Sequence, residues 1–157
     1  MHIHAYERFW IVLMTVVLAV FLGAVVYAAY GMGIQVPTDA GQVSPDQLAS
    51  APPFNEPGVK DLGGGFYQVV MLASAFQFEP GEITVPAGSD VEFVLTSRDV
   101  IHGFRVPGTT INAMVMPGQV TRILYHFDEP GEYTFMCHEY CGTGHHVMSG
   151  RIVVTAQ

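Results

Sequence analysis

Charge is scarce in this sequence. Lys, Arg, Asp and Glu together make up 13% of its 157 residues, where an average soluble domain carries about 25%. Basic residues are the rarest of these: 6 Lys and Arg stand against 14 Asp and Glu, for a formal net charge of −8. Without a basic face the chain is poorly built to displace counterions from a phosphate backbone, which argues against nucleic-acid binding. Acidic charge instead suits a basic protein partner. Cysteine is nearly absent, and two residues cannot frame a disulfide-stapled fold, so they are incidental or have one specific job. There is a single Trp, and no internal repeat. The length holds one ordinary domain plus a small appendage, which excludes a multidomain enzyme or a polytopic transporter.

The apolar residues are concentrated at one end. No charged residue occurs from Phe9 to Thr38, and Phe9 to Gly33 is almost wholly apolar. As a helix this run reaches roughly 37 Å at about 1.5 Å per residue, enough to cross a hydrocarbon core of about 30 Å with some tilt. Trp10, Tyr27 and Tyr30 fall near its ends, as interfacial aromatics do. A cleavable signal peptide is the rival reading, with Val26-Tyr27-Ala28 as its cleavage site, but the run exceeds the usual apolar segment of such a leader. Arg8 precedes the helix and the next basic residue is Lys60, so the positive-inside rule puts the N-terminus in the cytoplasm and the rest outside. Ala19 with Gly23, and Ala24 with Ala28, would permit close packing against another membrane helix.

The expected organisation is a cytoplasmic segment over 1–8, a transmembrane helix over 9–34, a linker over 35–65 and a domain over 66–157. The linker reading rests on frequent proline, a closing Gly63-Gly64-Gly65 and few large apolar side chains. Beyond it, short strands alternate with Pro-Gly turn signals. Candidates are Phe66 to Ala73, Ile83 to Val85, Asp90 to Ser97, Phe104 to Val106, Ile111 to Val115, Val120 to Phe127, Glu132 to Met136 and Arg151 to Thr155. Eight strands without a helical pattern predict an antiparallel sandwich.

Both cysteines fall in one short stretch, Cys137 to Met148. The spacing Cys141-x3-His145-x2-Met148 puts a thiolate, an imidazole and a thioether on one loop, the soft and borderline donors that suit copper. His102 supplies a second imidazole from upstream. Cys137 would crowd a single metal but suits two: bridging thiolates give each copper two sulfurs and leave one imidazole apiece. Met148 and the backbone carbonyl of Glu139 would be the weak axial contacts. The alternatives are a Cys137–Cys141 disulfide, which closes a tiny loop and leaves His145 and Met148 idle; a Cys2His2 zinc site, which has no use for Met148; and a buried thiol pair with coincidental histidines. His146 is a further ligand candidate beside His145, while His2, His4, His126 and His138 read as bystanders.

The run Cys137-x-Glu139-x-Cys141-x3-His145-x2-Met148, the upstream Asp99-Val100-Ile101-His102, the strand pattern and the single N-terminal helix together resemble subunit II of haem-copper cytochrome c oxidases over essentially the whole chain. The compact ba-type branch is the nearest in pattern. The resemblance implies an all-β, cupredoxin-like Greek-key sandwich with one N-terminal transmembrane helix, and a binuclear CuA centre. By matching positions, Cys137 and Cys141 bridge both coppers, His102 and Met148 complete one, and His145 with the Glu139 carbonyl completes the other. Many relatives also bind magnesium through the matching Glu side chain at the subunit I interface. Glu139 departs from the ba-type branch, which has Gln there.

The implied role is respiratory electron transport: single electrons arrive from cytochrome c or a similar donor and pass to the haem of subunit I, where oxygen is reduced. Proton translocation and oxygen chemistry belong to that partner. The implied location is the cell membrane, single-pass, with the copper domain on the outer face. Relatives of the mitochondrial type take in electrons through a Trp on the domain, whereas Trp10 lies in the apolar helix. Phe104, Met114, Met116 and Tyr140 are the candidate docking patch in its place. Two other readings are the same module in a nitric oxide reductase, and a membrane-tethered copper carrier. A quinol oxidase subunit would have lost the cysteines.

Overall fold

The computed structural model describes residues 4–32, 34 and 38–156. Two compact units divide the chain near residue 36. The first is α1 (Ala5–Gly31), a candidate membrane span with no buried residue. It starts four residues before the apolar run, because the main-chain N–H of His4 donates to the Glu7 carboxylate at 2.9 Å and caps the first turn. With 27 residues it is about 40 Å long, and Phe9, Leu18, Phe21 and Leu22 are all exposed. In water so much bare apolar surface would be costly, which is what makes the helix a candidate membrane span.

The second unit is a two-sheet sandwich. Its strands are β1 (Thr38–Gln42), β2 (Gly58–Asp61), β3 (Phe66–Ser74), β4 (Gln77–Glu79), β5 (Glu82–Pro86), β6 (Ser89–Ser97), β7 (His102–Arg105), β8 (Asn112–Val115), β9 (Gln119–Phe127), β10 (Gly131–Met136) and β11 (Ser149–Thr155). One sheet runs β1-β9-β6-β3-β2 with β4 also on β3, and the other β5-β11-β10-β7-β8. All eight expected strands are present. The expectation of a purely antiparallel sandwich needs correction, since β3 pairs with β6 and β5 with β11 in parallel. A parallel pair needs a crossover between its strands; here the excursion through β4 and β5 carries the chain across the sandwich. The core between the sheets is aromatic: Phe78, Phe93, Phe104, Phe127 and Phe135 stack edge-on or tilted with centroids 5.3 to 6.4 Å apart.

The linker expected over 35–65 is also corrected, because most of it belongs to this domain. β1 pairs with β9 and β2 with β3. Leu48 and Phe54, at 3% and 2% exposure, form a second core with Val70, Leu72, Val94 and Val120. β3 explains why. Its Val69, Met71 and Ala73 face the main core, while Val70 and Leu72 point out of the opposite face and are just as buried. An unbroken apolar strand needs cover on both sides, and the Pro-rich segment supplies the outer one. Burying Leu48 and Phe54 is worth about 1.5–3 kcal/mol each.

Candidate metal centre

Strand pairing assembles the donors. β10 and β11 form an antiparallel ladder that ends at Met136 opposite Ser149, so residues 137–148 are the loop at its tip. The Cys137 N–H donates to the Met148 carbonyl at 3.0 Å and closes the loop at its base. Within it Cys137 comes first, then Glu139 and Cys141. His145 opens a short 3-10 turn (His145–Val147), and Met148 leads into β11. β7 lies beside β10, with Arg105 opposite Met136, and this register delivers His102 to the side of Cys137.

The two thiols face each other at 4.0 Å between Sγ atoms, about twice a disulfide bond length, and both cysteines are free. The disulfide alternative is not what this geometry holds. Cys137 Sγ lies 3.9 Å from His102 Nδ1, and Cys141 Sγ lies 3.7 Å from His145 Nδ1. The Met148 Sδ is 3.7 Å from Cys141 Sγ, and the Glu139 carbonyl oxygen 3.2 Å from Cys137 Sγ. The donor atoms of His102, Cys137 and Cys141 all lie within 4.8 Å of one another. His102 and Met148 are fully enclosed, Cys137 is buried, and Cys141, His145 and Glu139 are half-buried. Buried Met148 in contact with a thiol favours a soft metal, since zinc would leave the thioether unused.

A second layer of contacts orients these donors. Asp99 Oδ1 lies 2.8 Å from His102 Nε2. An ionised carboxylate only accepts, so Nε2 carries the proton and Nδ1 keeps its lone pair toward the sulfurs. Asp99 also accepts from the N–H groups of Val100 and Ala75, each at 2.7 Å. Burial pushes its carboxyl up, but the bonds from His102 and these two amides outweigh it and hold Asp99 below the usual range. The Gly103 N–H donates to Cys137 Sγ at 3.4 Å. Burial, and then the neighbouring Cys137, push the Cys141 thiol up to about 11. Without metal it therefore stays protonated near neutral pH, and a metal must displace its proton.

All six expected site residues converge here. His146 does not join them and is exposed at the rim. His138 turns to the outer face, where its ring covers Gly103 and its Nε2 meets the Ala113 carbonyl at 3.2 Å. His126 pairs with Asp90 on the neighbouring strand β6. Of the docking patch expected at Phe104, Met114, Met116 and Tyr140, Phe104 is core, while Met114 and Tyr140 are exposed; Val147 on the metal loop, and Val100 and Ile101 just before His102, are exposed as well. Sequence reasoning missed the β3–β4 turn. Its Ala75 bonds Asp99, and its Phe76 packs against Gly142 and Gly144. No motif marks such a turn, because its role comes from a backbone amide and a ring.

A family model described as the cytochrome c oxidase subunit II periplasmic domain matches residues 73–157. Cytochrome c oxidase subunit 2 of Thermus thermophilus is 40% identical over 154 residues, covering 96% of this chain and 92% of that protein. A chain in the cryo-electron microscopy structure of a haem-copper terminal oxidase dimer superposes with a TM-score of 0.79 at 35% identity, covering 96% of this chain and 99% of that one. The periplasmic domain of subunit II of cytochrome oxidase from Bradyrhizobium japonicum shares the fold, with a TM-score of 0.53 at 19% identity over 57% of this chain and 84% of that one. The cupredoxin-like sandwich and the His102, Cys137 and Cys141 cluster fit a CuA centre. By this likeness in sequence and structure, the chain belongs to the cytochrome c oxidase subunit II family.

Proposed function

We propose that this chain is the electron-accepting subunit of a haem-copper terminal oxidase, with CuA held by His102, Cys137, Glu139, Cys141, His145 and Met148. One observation carries the reading: two thiols 4.0 Å apart, each with its own imidazole Nδ1 at 3.9 or 3.7 Å. Cys137 and Cys141 would each hold both coppers, His102 and Met148 would serve one of them, and His145 with the Glu139 carbonyl would serve the other. Bound there, a copper pair would supply one-electron chemistry.

The chain's own residues keep that centre dry and rigid. His102 is locked by Asp99, Cys137 by the Gly103 amide, and Met148 by its enclosure and its carbonyl bond to Cys137. Donors so fixed move little when charge changes, which favours fast transfer. The function includes docking on subunit I and accepting electrons from cytochrome c or a similar donor. The exposed rim of Tyr140, Val147, Val100 and Ile101 supports contact between the metal loop and a protein partner. α1 anchors the chain in the cell membrane with the N-terminus cytoplasmic and the copper domain outside. The Glu139 carboxylate, half-buried and with no side-chain partner among the described residues, is a site for magnesium at the subunit I interface.

The test is copper analysis with electron paramagnetic resonance on the purified full-length chain in detergent. Two coppers sharing one unpaired electron support the reading. One copper, or zinc without a signal, overturns it.

A further inference from the structure

The donor set comes from two separate parts of the chain. His102 arrives on β7, and the other donors arrive on the loop 137–148. The contact between Cys137 and His102 joins these halves on the metal side. Behind them, the β3–β4 turn touches both. The Ala75 N–H donates to Asp99 Oδ2 at 2.7 Å, and Asp99 Oδ1 faces His102 Nε2 at 2.8 Å. One residue on, the half-buried Phe76 ring lies against the ligand loop. A Cβ placed on Gly142 would come within 2.8 Å of the Phe76 Cε1, and one on Gly144 would run into its Cγ and Cδ2. The ring thus occupies the space that side chains at both glycines would need, one just after Cys141 and one just before His145.

We propose that the Ala75–Phe76 turn is a clamp that sets the spacing between the two halves of the donor set, its amide fixing the His102 half through Asp99 and its ring fixing the Cys141–His145 half. Phe76 is a positioning residue and touches no metal. Neighbouring contacts place the turn firmly. Phe78 on β4 is buried in the main aromatic core, and Glu79 forms an ion pair with Arg98 at 2.7 Å, next to Asp99. The clamp is therefore anchored at its far end and presses on the loop from a fixed base. Gly144 completes the device. Its φ of −91° is open to any residue, so what keeps a side chain out is the Phe76 ring and not the backbone.

The proposal rests on the copper reading for its consequence, but not for its contact, and the experiment separates the two. In the metal-free full-length chain, unfolding is measured for Phe76→Ala, Gly144→Ala and the double variant. Strong coupling is expected: Gly144→Ala destabilises the chain when the ring is present and costs much less in Phe76→Ala. Additive effects would overturn the contact. In the copper-loaded chain, Phe76→Leu is expected to lower copper affinity by about tenfold to a hundredfold, the size typical of losing support around a metal site. It should also make the paramagnetic signal unequal between the two coppers, while Phe76→Tyr restores both. Phe76→Leu with unchanged affinity and an unchanged spectrum would overturn the positioning role. A wild-type chain that takes up no copper would sink the copper reading instead, and the metal-free cycle would still decide the contact.

Discussion

The N–H of Cys137 donates to the carbonyl of Met148 at 3.0 Å, so the first and last donors of the ligand loop are held by one backbone hydrogen bond. This bond continues the β10–β11 ladder one step past Met136 opposite Ser149. The metal loop is thus the tip of a rigid hairpin, and its two ends cannot drift apart without breaking the sheet. Cys141 and His145, both half-buried, lie in the middle of the loop, where the sheet's hold is weakest.

Replacing one thiol should destroy the shared centre. Cys137→Ser removes the sulfur that faces the His102 imidazole and the Cys141 thiol, and a neutral hydroxyl is a poor bridge for a soft metal. Electron paramagnetic resonance is expected to change from one electron shared over two coppers to a single-copper signal or none. Met148→Leu keeps the buried volume and loses only a weak ligand, so both coppers should remain while the reduction potential shifts in voltammetry.

Phe54→Ala should destabilise the domain by about 3–5 kcal/mol, the usual cost of emptying a buried aromatic site. Phe54 is 2% exposed among Leu48, Val70 and Leu72. Guanidinium unfolding of the metal-free chain in mild detergent, followed by circular dichroism, reads the loss. An unchanged midpoint would mean that the Pro-rich segment does not cover β3.

The candidate metal centre is legible because its donors are concentrated: both cysteines, the His145 imidazole and the Met148 thioether lie within twelve residues, and Asp99-Val100-Ile101-His102 marks the other imidazole. The strands were legible from alternation such as Val91, Phe93 and Leu95, which all face the main core. Residues 38–61 were not, because strands β1 and β2 are too short and proline-flanked for a pattern to appear. Their partner, the outer face of β3, is recognisable only once the sheet is formed. The parallel pairs were hidden for a similar reason, since alternation gives a strand its faces but not its neighbour's direction.

Asp99→Ala should weaken copper binding by about tenfold to a hundredfold while leaving both thiols in place. The Asp99 carboxylate fixes the His102 tautomer and ties Val100 and Ala75 to it. Asp99→Asn is the sharper variant, because its amide oxygen can still accept from His102 Nε2, while the charge and the acceptor that faces the Ala75 N–H are lost. A graded loss, with Asn milder than Ala in a competition titration, is the expected outcome. Equal loss in both would assign the effect to the charge and the Ala75 bond, and not to the bond with His102.

Away from the metal, His126 gives the domain a pH-dependent contribution of known sign. Its Nδ1 faces Asp90 at 2.8 Å and its Nε2 faces Asp128 at 3.3 Å. The hydrogen bond to Asp90 holds the imidazolium form above its usual value; burial opposes this slightly, and the charges of Asp128 and Asp90 add to it. A folded value above the unfolded one, about 6.5, means that the contribution is complete below that pH. It fades as pH rises through the raised folded value. The stability gap between wild type and His126→Gln should therefore be widest near pH 5.5 and close toward about pH 8.5, on either side of the ordinary imidazole range. Urea unfolding of the metal-free chains at the two pH values measures it. A gap that widened with pH would mean that the imidazole is held neutral, reversing the role assigned to Asp90.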